Sequence, residues 1–391
     1  MFNLTSEELK KQEATYTANE IHQQPDVWQE LVSTIFQQKE SSRGFIESIY
    51  RKHDNTRVIL TGAGTSAFIG DILVPELRKQ TNGKVQFEAI PTTDIVSNPN
   101  EYLLKDVPTI MVSFARSGNS PESIAAVTLG EQFIDNFYQV VITCNKDGEL
   151  AKNIKNDDNA ITILTPDKAH DKGFAMTSSF TCMIITAYTL FTPNAFTGNK
   201  AKQIIANGER LVDSVADHID DILQFDFHRL VYLGSGLLGQ LSHEASLKML
   251  ELSAGKVAAT YESSLGFRHG PKSILDERSV VVLFMSQDAY TRKYDMDILR
   301  ELAADKSEMK VIALTEKKDQ EVEELADWTI TVNDSQASFT SDFQLALLYI
   351  IFAQVLALKK SIQLGITPDN PSPDGRVNRV VQGVTIYEYD Q

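Results

Sequence analysis

The sequence predicts an α/β protein: two tandem doubly wound parallel-sheet domains, with a helical N-terminus before them and an irregular C-terminal tail after them. Three observations carry this prediction. Four short apolar segments recur in the same order in each half of the chain. Each segment is rich in β-branched residues and apolar throughout, as a strand covered on both faces should be. The intervals between them carry helical patterns, such as SIAAVTLGEQFI and LSHEASLKMLEL, which is the alternation that builds parallel sheets.

The elements follow in order. RVILTGAG at 57–64 is answered by RLVYLGSG at 229–236, 172 positions on. TIMVSFA from Thr109 is answered by VVVLFMS from Val280, and QVVITCN from Gln139 by KVIALTE from Lys310, both 171 positions on. AITILTP from Ala160 is answered by WTITVND from Trp328. Each match alone is weak; their common order is the signal. The domains are placed at 46–205 and 215–364. Residues 1–45 read as helical, opened by the capping pattern TSEEL and punctuated by Pro25. Residues 365–391 begin with the proline-rich TPDNPSPDGR and read as a tail without regular structure.

Composition narrows the function. The chain has 391 residues, 42% hydrophobic and 23% charged, ordinary for a globular protein with real cores. Its net charge of −16 argues against nucleic acid as a partner, because a phosphate backbone requires a basic face. A small anion needs only local donors and stays compatible. Cys144 and Cys182 have no metal spacing and suit a reducing compartment. MFNLTSEELKKQEATYT is polar and carries no leader-like apolar region, and the densest apolar run, residues 345–358, is short for a membrane span. The expectation is a soluble cytoplasmic protein with no membrane partner.

In open parallel sheets, ligands sit at the carboxyl ends of the strands. Two loops there stand out in the first half. GAGTS contains Gly64, Thr65 and Ser66. ARSGNS contains Arg116, Ser117, Gly118, Asn119 and Ser120. Both open a helix, and Ser120 before Pro121 has the form of an N-cap with proline at the first helical position. Helix N-termini offer unpaired N–H groups and partial positive charge, which suit phosphate. A third cluster, MTSSFT, adds Thr177 and Ser178. One such loop is as well explained by a capped turn; three in one domain point to phosphate. GSGLLG at 234–239, with Glu262 downstream, fits a dinucleotide fingerprint. The pattern is short, the related first-half loop breaks it, and a tight strand–helix turn explains it better.

The titratable groups concentrate at residues 243–272. Glu244, Lys248 and Glu251 recur at spacings of four and three, so they share one helix face. Taken alone they read as a solvated salt-bridged stripe. His269 then follows in GFRHGPK, a loop bounded by glycine and proline, beside Arg268 and Lys272. The seven histidines show no zinc spacing, and no metal site is expected.

These motifs together resemble the SIS (sugar isomerase) family. ANEIHQQPDVW, GAGTS, ARSGNS, EASLKMLELS and ESSLGFRHGPKSILD resemble, in this order, segments of the isomerase half of glutamine–fructose-6-phosphate aminotransferase. The second loop departs from that relative's Ser-Gln-Ser-Gly-Glu-Thr. The glutaminase domain has no counterpart here. A stand-alone double-SIS chain ending in PDNPSPDGRVNRVVQGVTIYEY is most similar to the galactosamine-6-phosphate deaminase/isomerases, also named tagatose-6-phosphate ketose/aldose isomerases.

The resemblance implies roles. Thr65, Ser66, Ser117 and Ser120, with the loop amides, would hold a sugar phosphate, and Thr177 and Ser178 would line the pocket. Glu251 would move a proton between C1 and C2. His269 would open the sugar ring, and in the relative it comes from a neighbouring subunit, which implies a homodimer or higher homo-oligomer. Glu244 and Lys248 would orient the site. No cofactor is implied. The interval from Glu251 to His269 is longer than the relative's and reads as a loop insertion. The relative's C-terminal lysine is missing from RVNRVVQGVTIYEY, and Arg376 or Arg379 cannot replace it as a Schiff base because guanidinium stays protonated. Three functions stay open: an amino-sugar-phosphate deaminase/isomerase, a plain aldose–ketose isomerase, and a sugar-phosphate sensor.

Overall fold

The computed structural model describes residues 1–81, 85–192, 196–305, 307–381 and 383–389. The chain forms two compact units, each around one five-stranded sheet. They interleave along the sequence. The first-sheet unit comprises Val27–Asp171, Ser178–Thr197 and Asp374–Gln391. The second-sheet unit comprises Met1–Asp26, Lys172–Thr177 and Gly198–Pro373. The N-terminal helical stretch and the tail are therefore each shared out by packing rather than forming bodies of their own.

In the first-sheet unit the strands are β1 (Arg57–Thr61), β2 (Gln86–Ala89), β3 (Thr109–Ala115), β4 (Phe137–Thr143) and β5 (Ala160–Leu164). Their order is β2-β1-β3-β4-β5, and every pairing is parallel. Three helices matter for the site: α1 (Thr65–Gln80), α2 (Pro121–Phe133) and α3 (Ser178–Phe191). Ile59, Met111 and Val141 project from the sheet into a core that also takes Ala126, Leu129 and Phe133 of α2.

The second-sheet unit repeats the plan. Its strands are β6 (Arg229–Gly234), β7 (Ala258–Ser263), β8 (Ser279–Phe284), β9 (Lys310–Thr315) and β10 (Trp328–Thr331), in the order β10-β9-β8-β6-β7 and all parallel. The helices are α4 (Gly198–Ile222), α5 (Leu237–Leu252), α6 (Thr291–Ala304) and α7 (Asp342–Gln363). Helix α7 contains the apolar run at 345–358. By length and composition it could span a bilayer, but 94% of its apolar window is buried, packed against α4 and α5. It is a core helix that is apolar all round because it is covered all round.

Two features differ from the sequence expectation. Each sheet has an additional edge strand, β2 or β7, beyond the four expected. Both are short and partly exposed, with the sequences QFEA and AATYES, so they lack the apolar run that marks the inner strands. The register also shifts by one. Arg57 stands level with Thr109, and Arg229 stands level with Ser279, not Val280. The cores agree: Ile59 and Met111 face one core, Val231 and Val281 the other. A strand that is apolar on both faces has no alternation from which to read its register.

At the N-terminus Thr5 caps the helix Ser6–Lys11 through a reciprocal box with Glu8. After α7 the described residues contain no helix or strand. Both cysteines are buried and free. Burial pushes the Cys144 thiol up to about 12, so it stays protonated and inert at neutral pH.

Candidate functional site

The carboxyl end of the first sheet is shaped by two glycine turns. A side chain at Gly62 would sit 2.6 Å from the Ser66 backbone, and Gly64 has φ +56°, a region that favours glycine. These two positions bring Thr65 and Ser66 into the first turn of α1, where both are nearly buried. At the second loop Gly118 has φ +72° and packs against Gly148. Ser117 is held by its neighbours: its carbonyl accepts from Asn145 Nδ2 at 2.8 Å and its hydroxyl from the Asn119 amide at 3.3 Å. Ser120 does stand at the N-cap of α2 with Pro121 following, but its hydroxyl makes no capping bond. The Asn119 side chain instead accepts from the Glu149 amide at 3.0 Å, at the start of the next helix.

Helix α3 starts within the third cluster, at Ser178, and Thr177 and Ser178 are fully buried. Thr177 falls with the second-sheet unit and Ser178 with the first. The amides that open α3 are already engaged. Asp171 accepts from Ser178 N at 3.1 Å, Ser179 N at 2.9 Å and Ser179 Oγ at 2.5 Å. A fully buried carboxylate thus occupies the anion position at this helix end. Sequence reasoning missed Asp171, which lies seven positions before Ser178, outside any local capping spacing.

The tail also reaches this end of the first-sheet unit. Arg116, itself almost buried, donates to the Arg379 carbonyl at 3.0 Å, and Arg379 donates to the Asp171 carbonyl. Burial, then the guanidinium groups of Arg379 and Arg116, hold the His170 imidazole below its ordinary value. The carboxylates of Asp171 and Asp167 oppose that effect. Arg376, by contrast, is exposed and pairs with Asp374.

In the second-sheet unit the β6–α5 junction has the same turn. Gly236 has φ +57°, and a side chain at Gly234 would meet Leu238 at 2.6 Å. Where α1 begins with Thr65 and Ser66, α5 begins with the buried Leu237 and Leu238. The glycines of GSGLLG serve turn and packing, and Glu262 accepts from the adjacent Ser263 amide.

Glu244, Lys248 and Glu251 lie on one face of α5, and that face is not solvated. Glu244 and Lys248 are 0% exposed and the Glu251 side chain 21%. Lys248 Nζ lies 2.5 Å from Glu251 Oε2 and 3.5 Å from Glu244 Oε1. The solvated-stripe reading therefore fails. Two carboxylates share one buried ammonium, and only Glu251 touches solvent.

His269 is exposed on the loop after β7, between two short helical turns, Gly266–Arg268 and Pro271–Ile274. Its neighbours Arg268 and Lys272 both pair with Glu301 of α6, at 2.5 and 2.8 Å. The structure thus assembles Glu244, Lys248 and Glu251 into one charged row and presents His269 on a braced, exposed loop.

Comparison with known proteins agrees with this architecture. The model of the SIS domain matches residues 52–193 and 225–359. The chain is 44% identical over 376 residues to D-galactosamine-6-phosphate deaminase AgaS of Escherichia coli, covering 96% of each chain. It is 42% identical over 387 residues to the protein of the same name from Shewanella sp. (strain ANA-3), covering 99% of this chain and 95% of the relative. Among solved structures, the tagatose-6-phosphate ketose/aldose isomerase from Escherichia coli superposes with a TM-score of 0.88 at 40% identity, covering 96% of this chain and 97% of the other. With two SIS segments, two matching parallel sheets and relatives above 40% identity along nearly its whole length, the chain belongs to the SIS domain family.

Proposed function

We propose that this chain is a galactosamine-6-phosphate deaminase/isomerase of the cytoplasm, converting galactosamine 6-phosphate and water to tagatose 6-phosphate and ammonia. The observation that carries the reading is the identity to deaminases of that name over nearly the full length of both chains. The buried row ending in Glu251 supports it, because the chemistry needs one exchangeable carboxylate beside adjacent carbons.

In this reading Thr65, Ser66, Ser117 and Ser120 hold the sugar phosphate with the loop amides, and Gly64, Arg116, Gly118, Asn119, Thr177 and Ser178 shape that pocket. Phosphate binding fixes the reacting end in register. His269 moves the proton that opens the ring, and a homodimer supplies it from a second copy. Glu251 takes the C2 proton of the open aldehyde and returns it to C1, leaving an imine at C2. Water hydrolyses the imine, releasing ammonia and the ketose. Lys248 and Glu244 hold Glu251 in place. The steps involve neither a metal nor an organic cofactor, and no nucleic acid or membrane takes part.

A plain aldose–ketose isomerase is the second reading, favoured by the solved relative of that name. Pure protein given galactosamine 6-phosphate and, separately, glucosamine 6-phosphate decides between them. Ammonia with tagatose 6-phosphate from the first substrate establishes the deaminase and the sugar. Interconversion of tagatose 6-phosphate and galactose 6-phosphate without ammonia from either amino sugar overturns it.

A further inference from the structure

Helix α6 carries a set of acidic side chains that the proposed chemistry does not use, and they converge on the two elements that it does use. Asp295 is fully buried. Its Oδ1 accepts from Ser235 Oγ at 2.9 Å and from Ser264 Oγ at 2.7 Å, and its Oδ2 accepts from the Ser286 amide at 2.9 Å. Ser235 immediately precedes the N-cap glycine of α5, the helix of Glu251. Ser264 follows β7 and opens the loop of His269. One carboxylate oxygen therefore joins the roots of both elements. Two turns further along α6, Glu301 accepts from Arg268 Nε at 2.5 Å and Lys272 Nζ at 2.8 Å. These cations flank His269 on either side. Asp297 adds a second contact to Arg268 at 2.9 Å.

The matching plan of the two units sharpens the point. Helices α2 and α6 begin at Pro121 and Thr291 after equivalent strands. By that spacing Ala125 stands in α2 where Asp295 stands in α6. The first-sheet unit has a methyl group at this position and keeps hydroxyl-bearing residues at the start of α1. The second-sheet unit carries a carboxylate there and begins α5 with leucines.

We propose that Asp295 and Glu301 are positioning residues: α6 braces the His269 loop at its root and at both flanks, and couples it to the start of the Glu251 helix. The catalytic part of this inference rests on the function proposed above; the bracing does not. An exposed loop with glycine at 266 and 270 would otherwise sample many conformations, and a reacting group displaced by an ångström loses much of its effect.

The test uses the full chain and three variants, Glu301→Gln, Asp295→Asn and His269→Ala. Glu301 is partly exposed, so its variant keeps the fold even if the buried Asp295→Asn does not. Two readouts are taken: ammonia release from galactosamine 6-phosphate, and amide hydrogen exchange across residues 264–275. Glu301→Gln is expected to lower kcat about tenfold with KM within about twofold, and to speed exchange in that loop alone. Combined with His269→Ala it adds no further loss, because both act through one group. Unchanged loop exchange, or losses that multiply in the double variant, overturns the proposal. If the parent protein releases no ammonia, the functional reading fails while the exchange result still decides the bracing.

Discussion

Lys248 Nζ sits 2.5 Å from Glu251 Oε2, three residues on along the same buried helix face. The ammonium fixes the one carboxylate of the row that reaches solvent. If Glu251 is the base, Glu251→Gln keeps the shape and removes the proton acceptor. Turnover of galactosamine 6-phosphate is expected to fall about a thousandfold. Tagatose 6-phosphate is expected to raise the melting temperature of the variant and of the parent alike. A variant with near-parental rate would move the base elsewhere.

Lys248 Nζ also lies 3.5 Å from the fully buried Glu244. Lys248→Met removes the ammonium that pairs with both carboxylates. Removing one partner of a buried pair costs about 3–5 kcal/mol, while replacing both by neutral groups is far milder. Urea unfolding of Lys248→Met and of Lys248→Met/Glu244→Gln should therefore show a large loss in the single variant and partial recovery in the double. Equal stability of the two would mean the row is better hydrated than its burial indicates.

Asp171 gives a prediction in the first-sheet unit. It closes the N-terminus of α3 through two amides and a hydroxyl. Charge-assisted bonds of this kind contribute about 1.5–3 kcal/mol each before non-additivity. Asp171→Ala is expected to lose about 2 kcal/mol of stability by denaturant unfolding. Asp171→Asn should lose less, since an amide oxygen can still accept one bond. A neutral Asp171→Ala would mean that water replaces the cap at no loss.

Four strands of each sheet were legible because they carry largely apolar runs such as RVILT, TIMVSFA and VVVLF. That same uniformity hid their register, so Thr109 pairs in the plan with Ser279 rather than Val280. The edge strands QFEA and AATYES were illegible because every residue in them but Phe87 is partly or fully exposed. Spacing placed Glu244, Lys248 and Glu251 on one face, yet burial of that face depends on what packs over it, which no local pattern encodes. Asp171 and Asp295 act on amides and hydroxyls that tertiary folding brings to them. Ser235 lies 60 positions from its Asp295 partner, and no capping rule spans that distance.

Two sets of carboxylates give the pH dependence opposite signs. Glu88 in β2 accepts from Arg57, and that hydrogen bond, opposed by burial, holds its carboxyl below the ordinary 4.5. A depressed folded value means that the unfolded chain binds the proton more readily. The stabilisation is present above pH 4.5 and is lost as pH falls through the lower folded value. Asp342 is shifted upward, chiefly by burial, against bonds from Ser286 Oγ and the Gln287 amide. Its contribution is greatest below the ordinary 3.8 and is lost as pH rises through the higher folded value. Stability profiles of Glu88→Gln and Asp342→Asn should therefore diverge from the parent in different ways. The Glu88→Gln deficit stays constant from neutrality down to about pH 4.5 and narrows below it. Relative to the parent, Asp342→Asn gains as pH rises from about 3.8 and levels off once the folded carboxyl is ionised. Unfolding midpoints in urea across this range measure both. Parallel curves for Asp342→Asn and the parent would show that the carboxyl titrates alike in the folded and unfolded chains, and that the bonds at Ser286 and Gln287 fully offset its burial.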